Sequence, residues 1–228
     1  MSPSTSLRDR VEKALAAAIV SGEMPPGELF SAPMLAAQFA VSATPVREAM
    51  LNLEKRGFVE IVRNKGFRVT AVSDQEMQEI TDVRGMLEPP AMRRLAGSLA
   101  RERLPRLREL ADRIVATARQ GELGSYLEAD TAFHLSLLNH LGNRHLVSIV
   151  AELRSQTRLV GLAGMVDTEE LNQSAAEHHV LLDLLEAGDG ERAEAFTAHH
   201  IGHVRGWWAG RPEDASPPPG AGRAVAAG

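Results

Sequence analysis

Apolar positions recur with helical spacing along the front of the chain and then give way to short runs of β-branched and aromatic residues. The helical spacing predicts three helices, at Leu7–Ser21, Met34–Phe39 and Pro45–Arg56. Thr44 is expected to cap the third helix, which places Pro45 at its first position, where a missing N–H costs little. Further on, the runs "FVEIV" and "FRVT" flank the turn signal "RNKG" and predict a hairpin. Three helices followed by a two-stranded hairpin are the elements of a winged helix-turn-helix.

From about Ser73 onward the apolar spacing is helical almost to the end of the chain. Pro89 lies inside the first of these later helices, where its ring would clash with the carbonyl of Gly85, so we expect a kink or a break. From Arg211 the sequence lacks core-forming residues and is expected to be disordered. Gly, Pro and Asn signals separate six predicted helices, at 74–97, 104–119, 123–140, 144–163, 168–187 and 190–208.

The fold class that these patterns predict is mainly α, with a winged helix-turn-helix and its small β-hairpin wing followed by an all-α six-helix antiparallel bundle. The predicted boundaries are 1–72 for the winged helix, 73–209 for the helical domain and 210–228 for the disordered tail. The net charge of −5 is divided unevenly, because residues 1–72 carry nine Lys and Arg against seven Asp and Glu, whereas the remainder has a balance of −7. A mildly basic front joined to an acidic back suggests two domains with different partners.

Composition narrows the functional classes further. The chain has no cysteine, which excludes disulfides, thiolate ligands and a cysteine nucleophile and fits a reducing cytoplasm. No apolar run approaches the roughly 18 residues that span a bilayer, and the N-terminus is polar, so we expect a cytoplasmic protein with no membrane partner.

The start of the third predicted helix carries residues suited to DNA. In a helix-turn-helix the N-terminal end of the second motif helix reaches the major groove, where a long charged side chain contacts base edges or phosphates. Arg47 lies in this first turn. Ser42 and Thr44 flank it, where hydroxyls and free backbone N–H groups can bind phosphate. We therefore take Ser42, Thr44 and Arg47 as candidate DNA-binding residues.

The hairpin turn supplies Arg63, Lys65 and Gly66, which suit a wing lying along the DNA backbone or minor groove, although a basic turn taken alone is more often a solvated loop. The stretch "GEMPPGELFSAPMLAAQFAVSATPVREAMLNLEKRGFVEIVRNKGFRVT" resembles the winged-helix signature of the GntR family of transcriptional regulators. The resemblance implies a homodimer that binds double-stranded operator DNA. Ala43 and Pro33 depart from the family pattern, which usually has arginine at the first position and often a polar residue near the second.

Two later helices and the last one carry polar residues on their apolar stripes. Asp130 and His134 lie four positions apart on one stripe, and His178 and His200 each interrupt another. His178 lies 11 residues before Asp189 and His200 lies 11 after it, so an antiparallel hairpin brings them to one level. Burying these groups without partners would cost several kcal/mol each, roughly, in the charged form. A shared divalent metal ion (Zn, Ni, Mn or Fe) explains the set, because imidazole and carboxylate suit such ions.

The same four residues resemble the metal ligands of the FCD ligand-binding domain in the FadR-like branch of the GntR family, through "DxxxH" at Asp130 and His134, "EHHVLLDLLEAGD" at His178 and "HHI" at His200. Six helices resemble the VanR-type variant of that domain. A single histidine on an apolar face is more often a hydrogen-bonded core residue than a ligand, which is the interpretation we give to His140, His145, His179, His199 and His203.

Arg84 falls on the inward stripe of the first later helix and admits two interpretations. It can form an ion pair with Glu88 or another acidic neighbour, or it can clamp a carboxylate whose other end coordinates the metal, since guanidinium binds carboxylates bidentately. Relatives of this kind commonly sense small carboxylic acids, so the resemblance implies a small carboxylic acid effector, with Arg84 as the effector-binding residue.

These features favour a dimeric, metabolite-controlled transcriptional regulator, more often a repressor in this family. One alternative is a metal-dependent hydrolase-like enzyme, in which the metal activates water. The sequence contains no "HExxH" motif, and no further Glu or His at a short fixed spacing that would indicate a general base. We therefore predict that the chain is not an enzyme. The second alternative is a DNA-binding protein whose metal is purely structural.

Overall fold

A computed structural model describes residues 6–71, 73–157 and 162–204. At the front of the chain it forms three helices and a small sheet. Strands β2 and β3 make the predicted hairpin, and β1 pairs antiparallel with the other side of β3, giving the order β1-β3-β2. The elements are α1 (Leu7–Val20), β1 (Leu29–Phe30), α2 (Ala32–Gln38), α3 (Ala43–Lys55), β2 (Val59–Val62) and β3 (Gly66–Val69).

The winged helix-turn-helix is thus confirmed, with two differences of detail. The sheet has a third strand, because Leu29 and Phe30 pair with Arg68 and Phe67 of β3. The third helix begins at Ala43 with Ser42 as its N-cap, so the prediction that Thr44 caps it was wrong. Pro45 is accommodated within the first turn, where no backbone N–H has a partner inside the helix.

The rest of the chain is helical, and among the residues described it contains the six α-helices that the sequence predicted. Helix α4 packs on α9, α5 packs on α6 and α8, and α8 packs on α9. Short 3₁₀ turns at Arg101–Arg103 and Leu162–Met165 precede two of the helices. The helices are α4 (Asp74–Leu95), α5 (Leu104–Arg119), α6 (Leu123–Asn139), α7 (Arg144–Gln156), α8 (Glu169–Glu186) and α9 (Gly190–Gly202).

Two hydrophobic cores follow this division. One lies between α1, α2, α3 and the sheet, where Leu15, Leu35 and Leu53 are almost completely buried. The other fills the helical bundle around large side chains such as Tyr126 and Phe133. No helix in the described residues is long and apolar enough to cross a membrane.

Helix α4 continues through Pro89 and Pro90, so the expected break is absent. The carbonyls that lose a backbone partner are those of Gly85 and Met86, and both of these residues are exposed, which leaves the carbonyls accessible to water. Helix α7 ends at Gln156, seven residues before the predicted end. The predicted tail over 210–228 and the predicted end of the last helix at 208 lie outside the described residues.

Candidate metal centre and DNA interface

Helices α6, α8 and α9 bring the four predicted metal ligands to one place in the bundle. Asp130 and His134 come from α6, His178 from α8 and His200 from α9, and all four are buried. One possible ligand atom from each lies within 4.8 Å of those of the other three. Each residue lies on the apolar helix face that the sequence predicted, and that face points into the core of the bundle.

Hydrogen bonds at the edge of the cluster fix which ring nitrogens carry protons. His178 Nδ1 lies 3.0 Å from the carbonyl oxygen of Ala175, which only accepts, so this nitrogen holds the proton and Nε2 of the neutral ring does not. That Nε2 lies 3.1 Å from Asp130 Oδ1 and 3.2 Å from His134 Nε2. A lone pair thus faces a carboxylate oxygen, an arrangement that repels unless a cation lies between them.

His200 is oriented in the same way, because its Nδ1 donates to Glu177 Oε2 at 2.6 Å and its Nε2 remains free of a proton in the neutral ring. Burial lowers the pKa of His134 to about 3, with the charge of Arg154 adding to the effect. Burial also lowers the pKa of His200. Burial alone would raise the pKa of Asp130, but Arg154, His134 and His178 together outweigh it and hold that pKa well below its ordinary value. Neutral imidazoles beside an ionised carboxylate form a donor set that fits a divalent metal ion.

Beside the cluster, two arginines and two carboxylates form a buried network. Arg84 Nε donates to Glu88 Oε1 at 2.7 Å. This contact is the ion pair with Glu88 that the sequence offered as one of two interpretations of Arg84. Arg154 Nη2 lies 2.9 Å from Glu88 Oε2, and Arg154 Nη1 lies 2.8 Å from Asp130 Oδ2. The network therefore connects Arg84 to a candidate metal ligand through Glu88 and Arg154.

The sequence predictions did not include Arg154 or Glu177. Arg154 follows the buried Val150 by four positions on α7, a spacing that places it on the same face. Glu177 follows the buried Ser174 by three positions on α8. An extension of the apolar stripes to these two charged residues would have found them.

A cavity of about 340 Å³ opens between the winged helix and the bundle. The arginines of the buried network, Arg84 and Arg154, reach it together with Asp130. Its volume is within the roughly 300–1,000 Å³ range of small-molecule sites. The other lining residues are Lys13, Ala16, Ala17, Val20, Arg56, Phe58, Gly124, Leu127, Glu128, Thr131, Ala132, Ser155 and Thr157.

In the winged helix, a cleft of about 350 Å³ brings Arg47 together with the wing residues Arg63, Lys65 and Gly66. Ser42 and Thr44 lie exposed at the start of the same helix α3. The hydroxyl of Ser42 makes no capping hydrogen bond, and this leaves it available to a phosphate. The cleft therefore brings together four of the six residues that the sequence predicted to contact DNA, and the other two lie at the start of the helix that carries Arg47.

Gly66 has a structural requirement of its own. Its φ of +126° is a conformation that side-chain-bearing residues rarely adopt, and an added Cβ would collide with the carbonyl of Phe30. The glycine therefore allows β1 to approach β3, and any contact it makes with DNA is through its backbone.

Comparisons with known proteins agree with this architecture. The family model described as "Bacterial regulatory proteins, gntR family" matches residues 7–69, and the FCD domain model matches residues 79–203.

Similar curated proteins are transcriptional regulators. The chain is 29% identical to the "Probable D-xylose utilization operon transcriptional repressor" of Paenarthrobacter nicotinovorans, with 86% of each chain covered. It is 30% identical to the "Nta operon transcriptional regulator" of Aminobacter aminovorans, over 80% of this chain and 85% of that one. Among solved structures, E. coli McbR/YncC superimposes with a TM-score of 0.70 at 25% identity, over 88% of this chain and 93% of that one.

Proposed function

Because the chain belongs to the GntR family of bacterial transcriptional regulators and carries an FCD domain, we propose that it is a repressor controlled by a small carboxylic acid. The acid binds at a divalent metal in the helical bundle and changes the affinity of the winged helix for double-stranded operator DNA in the cytoplasm. The observation that carries the proposal is the convergence of four buried donor groups beside two arginines and a cavity.

Asp130, His134, His178 and His200 would hold the metal, which we take to be Zn, Ni, Mn or Fe. When bound, the ion supplies open coordination positions for a carboxylate oxygen, since four protein ligands do not complete a five- or six-coordinate shell. The second carboxyl oxygen, or a second carboxyl group, meets the guanidinium groups. Arg84 would then bind the acid in exchange for part of its contact with Glu88.

The cavity indicates the kind of acid that fits. Alanine side chains, Val20, Phe58 and Leu127 give it an apolar lining, and its charged residues are mostly cationic. A small acid with a carboxylate at one end and an apolar body suits this distribution of charge.

Helix α6 links the effector site to the winged helix. Its inward face carries Asp130 and His134, and outward from the same helix Glu128 pairs with Lys13 of α1 at 3.1 Å. An acid that shifts α6 therefore acts directly on α1, in addition to any movement through the connection near Ala71. A ligand that binds two arrangements unequally by about 1 to 3 kcal/mol changes DNA affinity roughly 5- to 150-fold.

The proposed regulator acts as a homodimer, which presents two winged helices to a pseudo-palindromic operator. Arg47 at the start of α3 reads bases, and Ser42, Thr44, Arg63, Lys65 and the Gly66 backbone contact phosphates or the minor groove. Sedimentation of the free protein and of its operator complex tests this part. A monomer bound to a single half-site would contradict the dimer.

The central test is calorimetric titration of candidate carboxylic acids into the wild type, the metal-free protein and Arg84→Ala, each with and without operator. We expect the best-binding acid to bind more weakly to the metal-free protein and to Arg84→Ala than to the wild type. In the wild type the acid should change the affinity for operator, and operator should change the affinity for the acid by the same factor. Arg106→Ala, an exposed change elsewhere in the bundle, is the matched control. Equal acid affinity in all proteins, or no response to DNA, would favour a purely structural metal.

A further inference from the structure

A second group of potential metal ligands lies next to the first. Glu177, His199 and His203 each offer a ligand atom, and these atoms lie within 4.8 Å of one another. His199 and His203 are four positions apart, with ring centroids separated by 5.0 Å. Two histidines at this spacing share a helix face, so one cation can reach both. None of the three belongs to the set around Asp130.

The carboxylate of Glu177 is only half satisfied. Its Oε2 accepts from His200 Nδ1 at 2.6 Å and from His203 Nε2 at 2.9 Å. Its Oε1 is buried and has no hydrogen-bond partner among the described residues. A carboxylate oxygen buried without a partner is costly, and a bound cation would offset that cost.

We propose that Glu177, His199 and His203 bind a second divalent cation, separate from the one assigned to Asp130 and its three histidines. Imidazole and carboxylate ligands suit the same class of ions as at the first site. Glu177 provides Oε1 and keeps Oε2 on His200. His199 is partly exposed, whereas every ligand of the first site is buried, so the second cation exchanges with solvent more readily.

Glu177 makes the two sites interdependent. A carboxylate that accepts from the Nδ1–H of a ligating histidine increases the basicity of that histidine. A cation on Glu177 withdraws part of this negative charge from His200 and lowers its value as a ligand. Occupation of the second site therefore weakens metal binding at the first site. If the proposed function holds, it also weakens binding of the carboxylic acid. The existence of the second site does not depend on that function.

Zinc titration of the full chain, after dialysis against a chelator, tests the proposal. We expect two zinc ions per chain, one tight and one weaker. His199→Ala should weaken the weaker site by roughly tenfold to 100-fold or more and leave the tight site in place. His178→Ala should abolish the tight site and leave the weaker one. His179→Ala, a neighbouring histidine paired with Asp112 at 3.1 Å, is the control and should keep both.

Each result decides one point. Binding of only one zinc ion by the wild type would overturn the second site. Two zinc ions with unchanged affinities in folded His199→Ala would also overturn it, since the weaker ion would then bind other surface groups. His199→Gln, which keeps a polar side chain of similar length, gives the same test if the alanine variant does not fold. Retention of the tight ion in His178→Ala would instead refute the first site and leave the second standing. Circular dichroism confirms folding in each case.

Discussion

Arg154 on α7 donates to Asp130 on α6 at 2.8 Å and lies 2.9 Å from Glu88 on α4, so one guanidinium joins the carboxylates of two other helices. Asp130 is also a candidate metal ligand. Its negative charge is therefore shared between a permanent cation of the protein and the proposed metal.

Arg154→Met should destabilise the metal-free protein by about 3 to 5 kcal/mol, since removal of one member of a buried ion pair leaves the other uncompensated. A divalent metal can supply the lost positive charge to Asp130. We therefore expect zinc to raise the thermal midpoint of Arg154→Met by more than it raises that of the wild type. Differential scanning calorimetry with and without zinc measures both shifts. Equal shifts would show that Arg154 and the metal do not share Asp130.

The pH dependence of stability tests the other half of the network. Burial alone would raise the pKa of Glu88 above its ordinary value of 4.5, but Arg154 and Arg84 lower it to about 2. A depressed pKa in the folded state contributes stability above about pH 4.5, and this contribution disappears as the pH falls toward about 2.

Glu88→Gln lacks this contribution at every pH. The wild type should therefore exceed it in unfolding free energy near neutral pH, and the difference should shrink by roughly 1.4 kcal/mol for each pH unit below about 4.5. Urea denaturation from about pH 6 to about pH 3.5 follows the difference across this window. A difference that stays constant over this range would mean that the pKa of Glu88 is not lowered in the folded protein.

Periodicity predicted the helices well because each buries an apolar stripe, and it located Asp130 because a polar residue on such a stripe is conspicuous. Strand β1 (Leu29–Phe30) escaped prediction, since two residues carry no pattern and the strand exists only through its pairing with β3. Arg154 and Glu177 were missed because a charged residue on a helix is usually exposed. The apolar stripes indicate which helix faces carry them, but their partners on other helices, such as Glu88 for Arg154, depend on the packing of the bundle and cannot be predicted from a local pattern.

At the DNA face, Arg47→Ala should weaken binding to the operator by about 1 to 3 kcal/mol if the side chain contacts a base. The reason is its exposed position in the second turn of α3, which begins at Ala43 rather than at Pro45, within the cleft that the wing completes. Fluorescence anisotropy with labelled operator gives the affinity, and Arg106→Ala in the bundle controls for loss of one positive charge. Unchanged affinity in the folded variant would remove Arg47 from the interface.

Lys65 in the wing should act differently from Arg47, through phosphate rather than bases. Lys65→Ala is then expected to weaken operator and unrelated DNA about equally, and to reduce the slope of log affinity against log salt by about 0.9 for the lost contact. Anisotropy at several salt concentrations measures the slope for both DNAs. A loss confined to the operator, with the slope unchanged, would make Lys65 a base-reading residue instead.

The cavity between α1 and the bundle allows the effector to be blocked without any change to its charged partners. Ala17 lines this cavity from α1, so Ala17→Phe should occupy part of its roughly 340 Å³ and exclude the body of the acid. Affinity for the best-binding acid should fall at least about tenfold, a loss of about 1.4 kcal/mol, while zinc binding stays unchanged because the metal ligands are untouched.

Ala14→Phe adds the same ring at an exposed position of α1 outside the cavity lining and should bind the acid normally. Calorimetry of acid and of zinc on the three proteins, together with operator binding by anisotropy, separates the possible causes. If Ala17→Phe binds the acid as tightly as Ala14→Phe does, the acid lies wholly inside the bundle. Communication with the winged helix would then have to pass through α6 and its Lys13–Glu128 contact.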